Sequence, residues 1–248
     1  VIAPVAAARH KRIAIVFNES SMSDPSISLF VAPVTPLQQN CTVVWCNATK
    51  ACAIIDPGGD LDPILHEIKR RGLKLEKIWV THGHADHAGA TAELKRRTGA
   101  VIEGPHIDDQ FWIDRIPEDA ARWGLEGESF TPDRWLEDGD TLTLGETQWR
   151  VIHCPGHTPG HVVFYQPDNQ FAQVGDVLFR GSIGRTDFPR GNHADLLAAI
   201  TQKLWPLGDV RFVCGHGPMS SFNIERQSNP FVADQVIARA GPNTHGPS

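Results

Sequence analysis

Thr81-His82-Gly83-His84-Ala85-Asp86-His87 packs three histidines and one aspartate into the six consecutive positions 82–87. Imidazole nitrogen and carboxylate oxygen are the donors that a borderline divalent cation such as zinc accepts. A solvated histidine-rich loop would share this composition, but four donor-type side chains at such density point to a metal. Residues 77–81 form a short apolar run, expected to be a buried strand. Residues 86–98 carry a helical pattern, with Ala88, Ala92 and Leu94 on its inner face. The donors would thus stand where a strand ends and a helix begins, and two rigid elements would fix the backbone between them. His82 and His84, two apart on an extended segment, project to one side. Asp86 and His87 lie past the turn and point elsewhere. One cation does not easily take all four, so the spacing predicts two adjacent metals.

The same device recurs further along. An apolar strand ending at His153 runs into Cys154-Pro155-Gly156-His157, a strand ending at Val174 runs into Gly175-Asp176, and strand 210–214 runs into Gly215-His216. A glycine beside each donor lets the backbone approach its neighbours closely. His153, within a strand, and His161, at the start of the next, read as structural or as supports for ligands. His10, His66, His106, His193 and His245 lack such a setting, and most are expected to be solvated.

The rest of the chain bounds what these donors can serve. A length of 248 residues suits one large domain or two small ones, and the formal charge of −6 is mild. No basic run extends beyond Arg9-His10-Lys11-Arg12, which argues against a nucleic-acid surface, and no apolar run reaches membrane-spanning length. The five cysteines are odd in number and include no Cys-x-x-Cys pair. They read as reduced, buried thiols of a cytoplasmic protein. Residues 1–21 are expected to be a disordered leader with Met22 as the natural start. A single domain is expected over 22–240 and a disordered tail over 241–248.

Strands are expected at 27–34, 41–47 and 51–56, a helix at 61–71, and a strand at 100–103. Residues 104–135, with Phe111, Trp112, Ile113, Trp123, Phe130 and Trp135, look irregular. They read either as an insertion over the sheet or as a lid beside a cleft. A second meander follows at 141–144, 148–153, 162–166 and 171–174, then a helix at 194–204, a strand at 210–214, and an amphipathic segment at 223–240 interrupted at Pro230. Two such halves imply two sheets packed face to face with helices outside.

Thr-His-x-His-x-Asp-His (81–87) and the later Gly-His, Gly-Asp and Gly-His, in that order, resemble the metallo-β-lactamase fold superfamily over about 28–232. The resemblance implies an α/β class, as an αβ/βα four-layer sandwich of two mixed sheets with outer helices. Carried over by position, it places His82, His84 and His157 on a first metal, Asp86, His87 and His216 on a second, and Asp176 between the two. Residues 155–164, 184–191 and 215–220, with 131–136, Glu225-Arg226 and Asn229-Pro230-Phe231, resemble the short bacterial type of glyoxalase II. That likeness implies hydrolysis of S-D-lactoylglutathione to D-lactate and glutathione. The longer enzymes of that type bind glutathione through basic residues of a C-terminal helical domain, and Arg226 and Arg239 are the only basic side chains after His216. Arg185-Thr186-Asp187-Phe188 also resembles the persulfide dioxygenases, which use one iron.

Two bridged cations, most simply zinc with iron or manganese as alternatives, would lower the pKa of a shared water from about 16 to about 7. The resulting hydroxide would attack the thioester carbonyl, a metal would hold the oxyanion, and a thiolate would leave without a dedicated acid. Asp176 would hold the pair of metals and Asp86 would orient the hydroxide. Ser182, Ser220 and Ser221 lack the context of a nucleophilic serine. Arg185, Phe188 and Arg190 are the candidate substrate contacts, and a salt bridge of Arg185 to Asp187 is the competing role for Arg185. The expected partner is a small thioester, a glutathione conjugate, with no nucleic acid or membrane, for a monomer or weak homo-oligomer.

Overall fold

Successive residues of the central strands point to opposite faces, and both faces are apolar. In the run 51–55, Cys52 and Ile54 enter one buried cluster while Ala51, Ala53 and Ile55 enter another. In the run 162–165, Val162 and Phe164 join the second of these while Val163 and Tyr165 join a third. A strand buried on both faces must lie inside a layered molecule. The computed structural model, which describes residues 26–240, has that architecture. The expected leader 1–21 and tail 241–248 lie outside the described residues.

The first sheet holds β1 (Ile27–Val34), β2 (Gln39–Cys46), β3 (Ala51–Ile55), β4 (Lys74–Trp79) and β5 (Val101–Glu103), in that spatial order. The first three are antiparallel, and β4 and β5 continue parallel to β3. On the outer face lie α1 (Leu61–Arg70), α2 (Ala85–Ala88), α3 (Thr91–Thr98), α4 (Gln110–Asp114) and α5 (Ile116–Arg122). Ile64, Ile68, Leu94, Ile113 and Ile116 pack against Val43, Ile54 and Ile78 there.

The second sheet holds β6 (Thr141–Leu144), β7 (Thr147–His153), β8 (Val162–Gln166), β9 (Phe171–Gly175), β12 (Arg211–Cys214) and β13 (Ser220–Ser221). Its order is β13-β12-β9-β8-β7-β6, and β12 runs parallel to β9. A short hairpin, β10 (Leu178–Phe179) with β11 (Ser182–Ile183), projects from it. Its outer face is covered by α6 (His193–Ala198), the π-helical turn Ala199–Leu204 and α7 (Phe222–Ser228), through Leu196, Ile200, Leu204 and Phe222. α8 (Asp234–Ala240) ends the described chain.

Between the sheets Trp79 meets Trp149 at 5.2 Å and Phe164 at 5.3 Å, ring centre to ring centre. Each such fully buried aromatic contributes on the order of 2–3 kcal/mol through its area alone. Mixed sheets with outer helices make this the α/β sandwich expected from the sequence.

Four local expectations change. The helix expected over 86–98 is two helices, because the Ala90 N–H turns outward to the Pro57 carbonyl at 2.9 Å and breaks the run at Gly89-Ala90. The strand expected at 77–81 begins at Lys74 and ends at Trp79, and the Thr81 N–H goes to a carboxylate instead of the ladder. The segment 104–135 is less irregular than it reads, since it contains α4 and α5, with Pro117 at the start of α5. The helix expected at 194–204 is α6 followed by the π-helical turn.

Candidate metal centre

Every expected donor stands just past the end of a strand, in one sheet or the other. β4 leads through Thr81 into the loop that opens α2, and Asp86 and His87 lie in its first turn. His157 follows β7, Asp176 follows β9, and His216 follows β12. β12 and β9 are parallel neighbours, so their ends bring Asp176 and His216 to one edge. At that edge no side chain fits beside Asp176 from the neighbouring loop: a Cβ on Gly215 would run into the Asp176 carboxylate and the His87 ring.

The donors fall into two triads. His82 Nε2 and His157 Nε2 each lie 3.1 Å from His84 Nδ1. His216 Nε2 lies 3.1 Å from Asp86 Oδ2, with His87 Nε2 3.7 Å from the same oxygen. In each triad the donor atoms lie within 4.8 Å of one another. Asp176 stands between the two, with Oδ1 3.3 Å from His87 Nε2, and Oδ2 3.6 Å from His157 Nε2 and 3.8 Å from His216 Nε2. One carboxylate therefore touches members of both triads.

Three of the rings, His82, His87 and His157, have their other nitrogen engaged, which fixes which nitrogen is bare, whereas His84 Nε2 has no partner among the described residues. His157 Nδ1 donates to the Arg185 carbonyl at 2.8 Å, which leaves Nε2 as the lone pair. Thr81 Oγ1 donates to Asp56 Oδ2 at 2.7 Å, so toward His82 Nδ1, 3.0 Å away, it accepts. His87 Nδ1 donates to Asp56 Oδ2 at 3.0 Å. A second partner that sets tautomer and ring orientation is the usual support of a metal-binding imidazole. Burial first, and then the neighbouring imidazoles, push the His82 pKa well below its usual value and that of His84 down to about 3. Burial lowers His157 as well. These rings are neutral at pH 7, the state that binds a cation. Burial also opposes charge on His87 and Asp176, but their mutual attraction overrides it, raising the imidazole and lowering the carboxyl.

These residues fit a pair of divalent cations. Buried His87 Nε2 and Asp176 Oδ1 have no hydrogen-bond partner, although such atoms are ordinarily satisfied. Their closest approach brings together donors that a cation between them would satisfy. The donor chemistry, nitrogen with carboxylate oxygen, suits zinc, iron or manganese.

Two further acids support the loops and were not singled out by the sequence reading. Asp56, fully buried, accepts from the Thr81 N–H at 2.7 Å as well as from the Thr81 hydroxyl and His87. Its position was marked: it follows the wholly apolar β3 as Asp176 follows β9. Asp109, between the turn Ile107–Asp109 and α4, accepts from the Gly83 N–H, and no local pattern announces it. His161 Nε2 accepts from the Asp176 N–H at 3.0 Å, consistent with a supporting role. His153 Nε2 donates to the Pro159 carbonyl. His106 is not solvated: it stacks on His153 at 4.4 Å and meets Glu137 at 3.0 Å. His66 and His193 are exposed, and His10 and His245 lie outside the described residues.

The approach to the first triad is aromatic. Trp112 packs 4.4 Å from the His84 ring and Phe188 lies 5.1 Å from it on another side. The segment 104–135 thus covers the sheet through Ile113 and Ile116 and also reaches the centre through Trp112, so the two readings of it are one. Arg185 is committed to a two-bond ion pair with Asp187, at 2.9 and 2.8 Å. Arg190 has no ion pair among the described residues and lies over the Phe111 ring at 4.5 Å. Among the described residues no helix is long and apolar enough to cross a membrane, and the five cysteines are free and buried.

Residues 34–216 match the model of the metallo-beta-lactamase superfamily. The chain is 42% identical over 209 residues to hydroxyacylglutathione hydrolase GloC of Haemophilus influenzae, covering 83% of this chain and 98% of that one. Among solved structures, BLEG-1 B3 metallo-beta-lactamase superposes with a TM-score of 0.76 at 33% identity, over 82% of this chain and 99% of that one. TTHA1623 in a di-iron-bound form superposes with a TM-score of 0.73, also at 33% identity, over 82% of this chain and 100% of that one. With the two triads at one edge of the sandwich, these likenesses make the chain a member of the metallo-beta-lactamase superfamily and a metal-dependent hydrolase.

Proposed function

We propose that this protein hydrolyses S-D-lactoylglutathione to D-lactate and glutathione at a pair of divalent cations. The observation that carries the reading is Asp176, whose two oxygens face donors of both triads at 3.3 to 3.8 Å. His82, His84 and His157 would hold one cation, Asp86, His87 and His216 the other, and Asp176 would face both. When bound, such a pair supplies hydroxide at neutral pH and polarises the acyl carbonyl. The likeness to GloC, at 42% identity, favours a glutathione thioester over a lactam, the class indicated by the name of the BLEG-1 relative at 33%. Zinc suits the donors, and the di-iron form of TTHA1623 makes iron the alternative. The second triad supports two cations over the single iron of a persulfide oxygenase.

The residues around the cations have separable tasks. Asp86 is held ionised because His87 and His216 outweigh the cost of its burial, so its carboxylate can orient a water by accepting a hydrogen bond. Trp112 and Phe188 wall the acyl position against solvent. Arg190, with a guanidinium free of carboxylate partners among the described residues, is the contact for a glutathione carboxylate, while Arg185 shapes the loop through Asp187. The thiolate leaves without a proton donor. Buried, unpaired cysteines suit the reducing cytoplasm in which glutathione is abundant.

The test is the loss of thioester absorbance from S-D-lactoylglutathione, using zinc-reconstituted protein, with His84→Ala as control and a chromogenic cephalosporin run in parallel. Turnover of the thioester that disappears in the control is expected. Faster cephalosporin cleavage, or no thioester turnover with both cations bound, would overturn the assignment, and oxygen uptake by iron-loaded protein would then be measured.

A further inference from the structure

Asp109 makes no hydrogen bond to the expected ligands, yet it grips the two loops that carry all three of the first triad. Its side chain is fully buried at the start of α4. Oδ2 accepts from the Gly83 N–H and the Thr158 hydroxyl, each at 2.8 Å, and Oδ1 accepts from the Gly160 N–H at 2.6 Å. Gly83 lies between His82 and His84, while Thr158 and Gly160 follow His157. One carboxylate thus joins a loop of the first sheet to a loop of the second. The contact is backbone-tight: a Cβ on Gly83 would come 3.0 Å from the Asp109 carbonyl oxygen, and one on Gly160 would come 2.5 Å from the Asp109 nitrogen. No hydrogen bond joins it to Asp86, His87 or His216. Burial raises the Asp109 pKa, but the three donors all favour an acceptor at both oxygens.

We infer that Asp109 is the positioning residue of the first metal: it sets the spacing between the His82/His84 loop and the His157 loop, and with it the affinity of that triad alone. The inference rests on the ligand assignment proposed above. An asparagine at this place keeps the shape but turns an NH2 toward an N–H or O–H that needs an acceptor. The loss of a partner that orients ligands costs about 10–100-fold in metal affinity.

The experiment is a zinc titration in competition with a chromophoric chelator, for the whole chain, for Asp109→Asn, Thr158→Val and His157→Ala, and for each of the first two combined with His157→Ala. Thermal melts accompany it. The wild type should bind two ions and His157→Ala one. Asp109→Asn should weaken one ion by about 10–100-fold and leave the other within about twofold. Thr158→Val, which removes one donor of three, should act in the same direction by less. Each double variant should hold its remaining ion as tightly as His157→Ala does. Equal weakening of both ions, no weakening of either, or further loss in the double variants would overturn the inference while leaving the ligands in place. If Asp109→Asn does not fold, the same outcomes read on the Thr158→Val pair decide. A His157→Ala protein that still bound two ions would overturn the ligand assignment and this inference with it.

Discussion

The two halves of the sandwich supply the centre in opposite ways. The first half concentrates its donors: His82, His84, Asp86 and His87 share one loop, and a single carboxylate, Asp56, takes the Thr81 N–H, the Thr81 hydroxyl and His87. The second half disperses them over three strand ends, each with its own support. The Arg185 carbonyl holds His157, and His161 holds the backbone of Asp176. The flanks of His216 are held from across the molecule, where the Asn40 amide donates to the Cys214 carbonyl at 2.9 Å and the Gly217 carbonyl at 2.8 Å. A concentrated set depends on few anchors, here Asp56 at Thr81 and His87, and Asp109 at Gly83. A dispersed set depends on the register of the sheet, and each member can be displaced alone.

Asp176 is the exception in the dispersed half, because it faces both triads. Asp176→Ala should therefore give the largest effect: loss of both ions, and a fall in activity beyond the ~100-fold that supporting residues cost. Metal analysis after gel filtration checks it. Two ions retained per chain would show that the triads hold their cations without a shared carboxylate, and the comparison of halves would lose its centre.

Asp56→Ala tests the concentrated half. It leaves the buried Thr81 N–H and the His87 Nδ1–H without their acceptor, at a cost of about 1–3 kcal/mol each. Urea unfolding of the zinc-loaded protein should register that loss, and zinc titration should show the whole loop impaired, with both ions weakened together. Weakening confined to the ion held by His87 would mean that the bonds of Asp56 to Thr81 do not set the position of His82.

This contrast also explains what the sequence could reveal. The clustering of the candidate donors was legible because each combines a side chain of metal-binding type with an apolar strand ending beside it, two signals that are both local. The layers were legible because two runs of strands, each followed by helices, imply two sheets packed face to face with the helices outside, and β2, β3, β8 and β9 are buried throughout. Asp56 was half visible: it follows a strand as Asp176 does, but the Pro57-Gly58-Gly59 after it is turn chemistry, in which an aspartate is commonplace. Asp109 was hidden, since its partners at Gly83 and Thr158 lie 26 and 49 residues away in the chain, and Trp112 was legible only as one aromatic of a candidate lid. The break at Gly89-Ala90 was hidden for the same reason, because the carbonyl that causes it belongs to Pro57. Local propensity does not carry long-range hydrogen bonds.

The smallest effect is expected at the outer layer of the dispersed half. The Asn192 side chain caps α6, accepting from the Ala194 N–H at 2.9 Å and the Asp195 N–H at 3.2 Å. Its backbone N–H meets the Gly156 carbonyl at 2.8 Å, one residue before His157. Asn192→Ala removes the cap and keeps that backbone bond, so it should cost about 1 kcal/mol. For a domain of this size the melting temperature should fall by about 2–4 °C. Zinc affinity should stay within about twofold, because His157 is oriented by the Arg185 carbonyl and its loop is held by Asp109, both untouched by the substitution. Calorimetry and zinc titration on the same preparation separate the two quantities. A loss of zinc affinity that tracked the loss of stability would mean that His157 takes its position from the helix behind it, and that the dispersed donors are held by the packing of whole layers instead of by their individual partners.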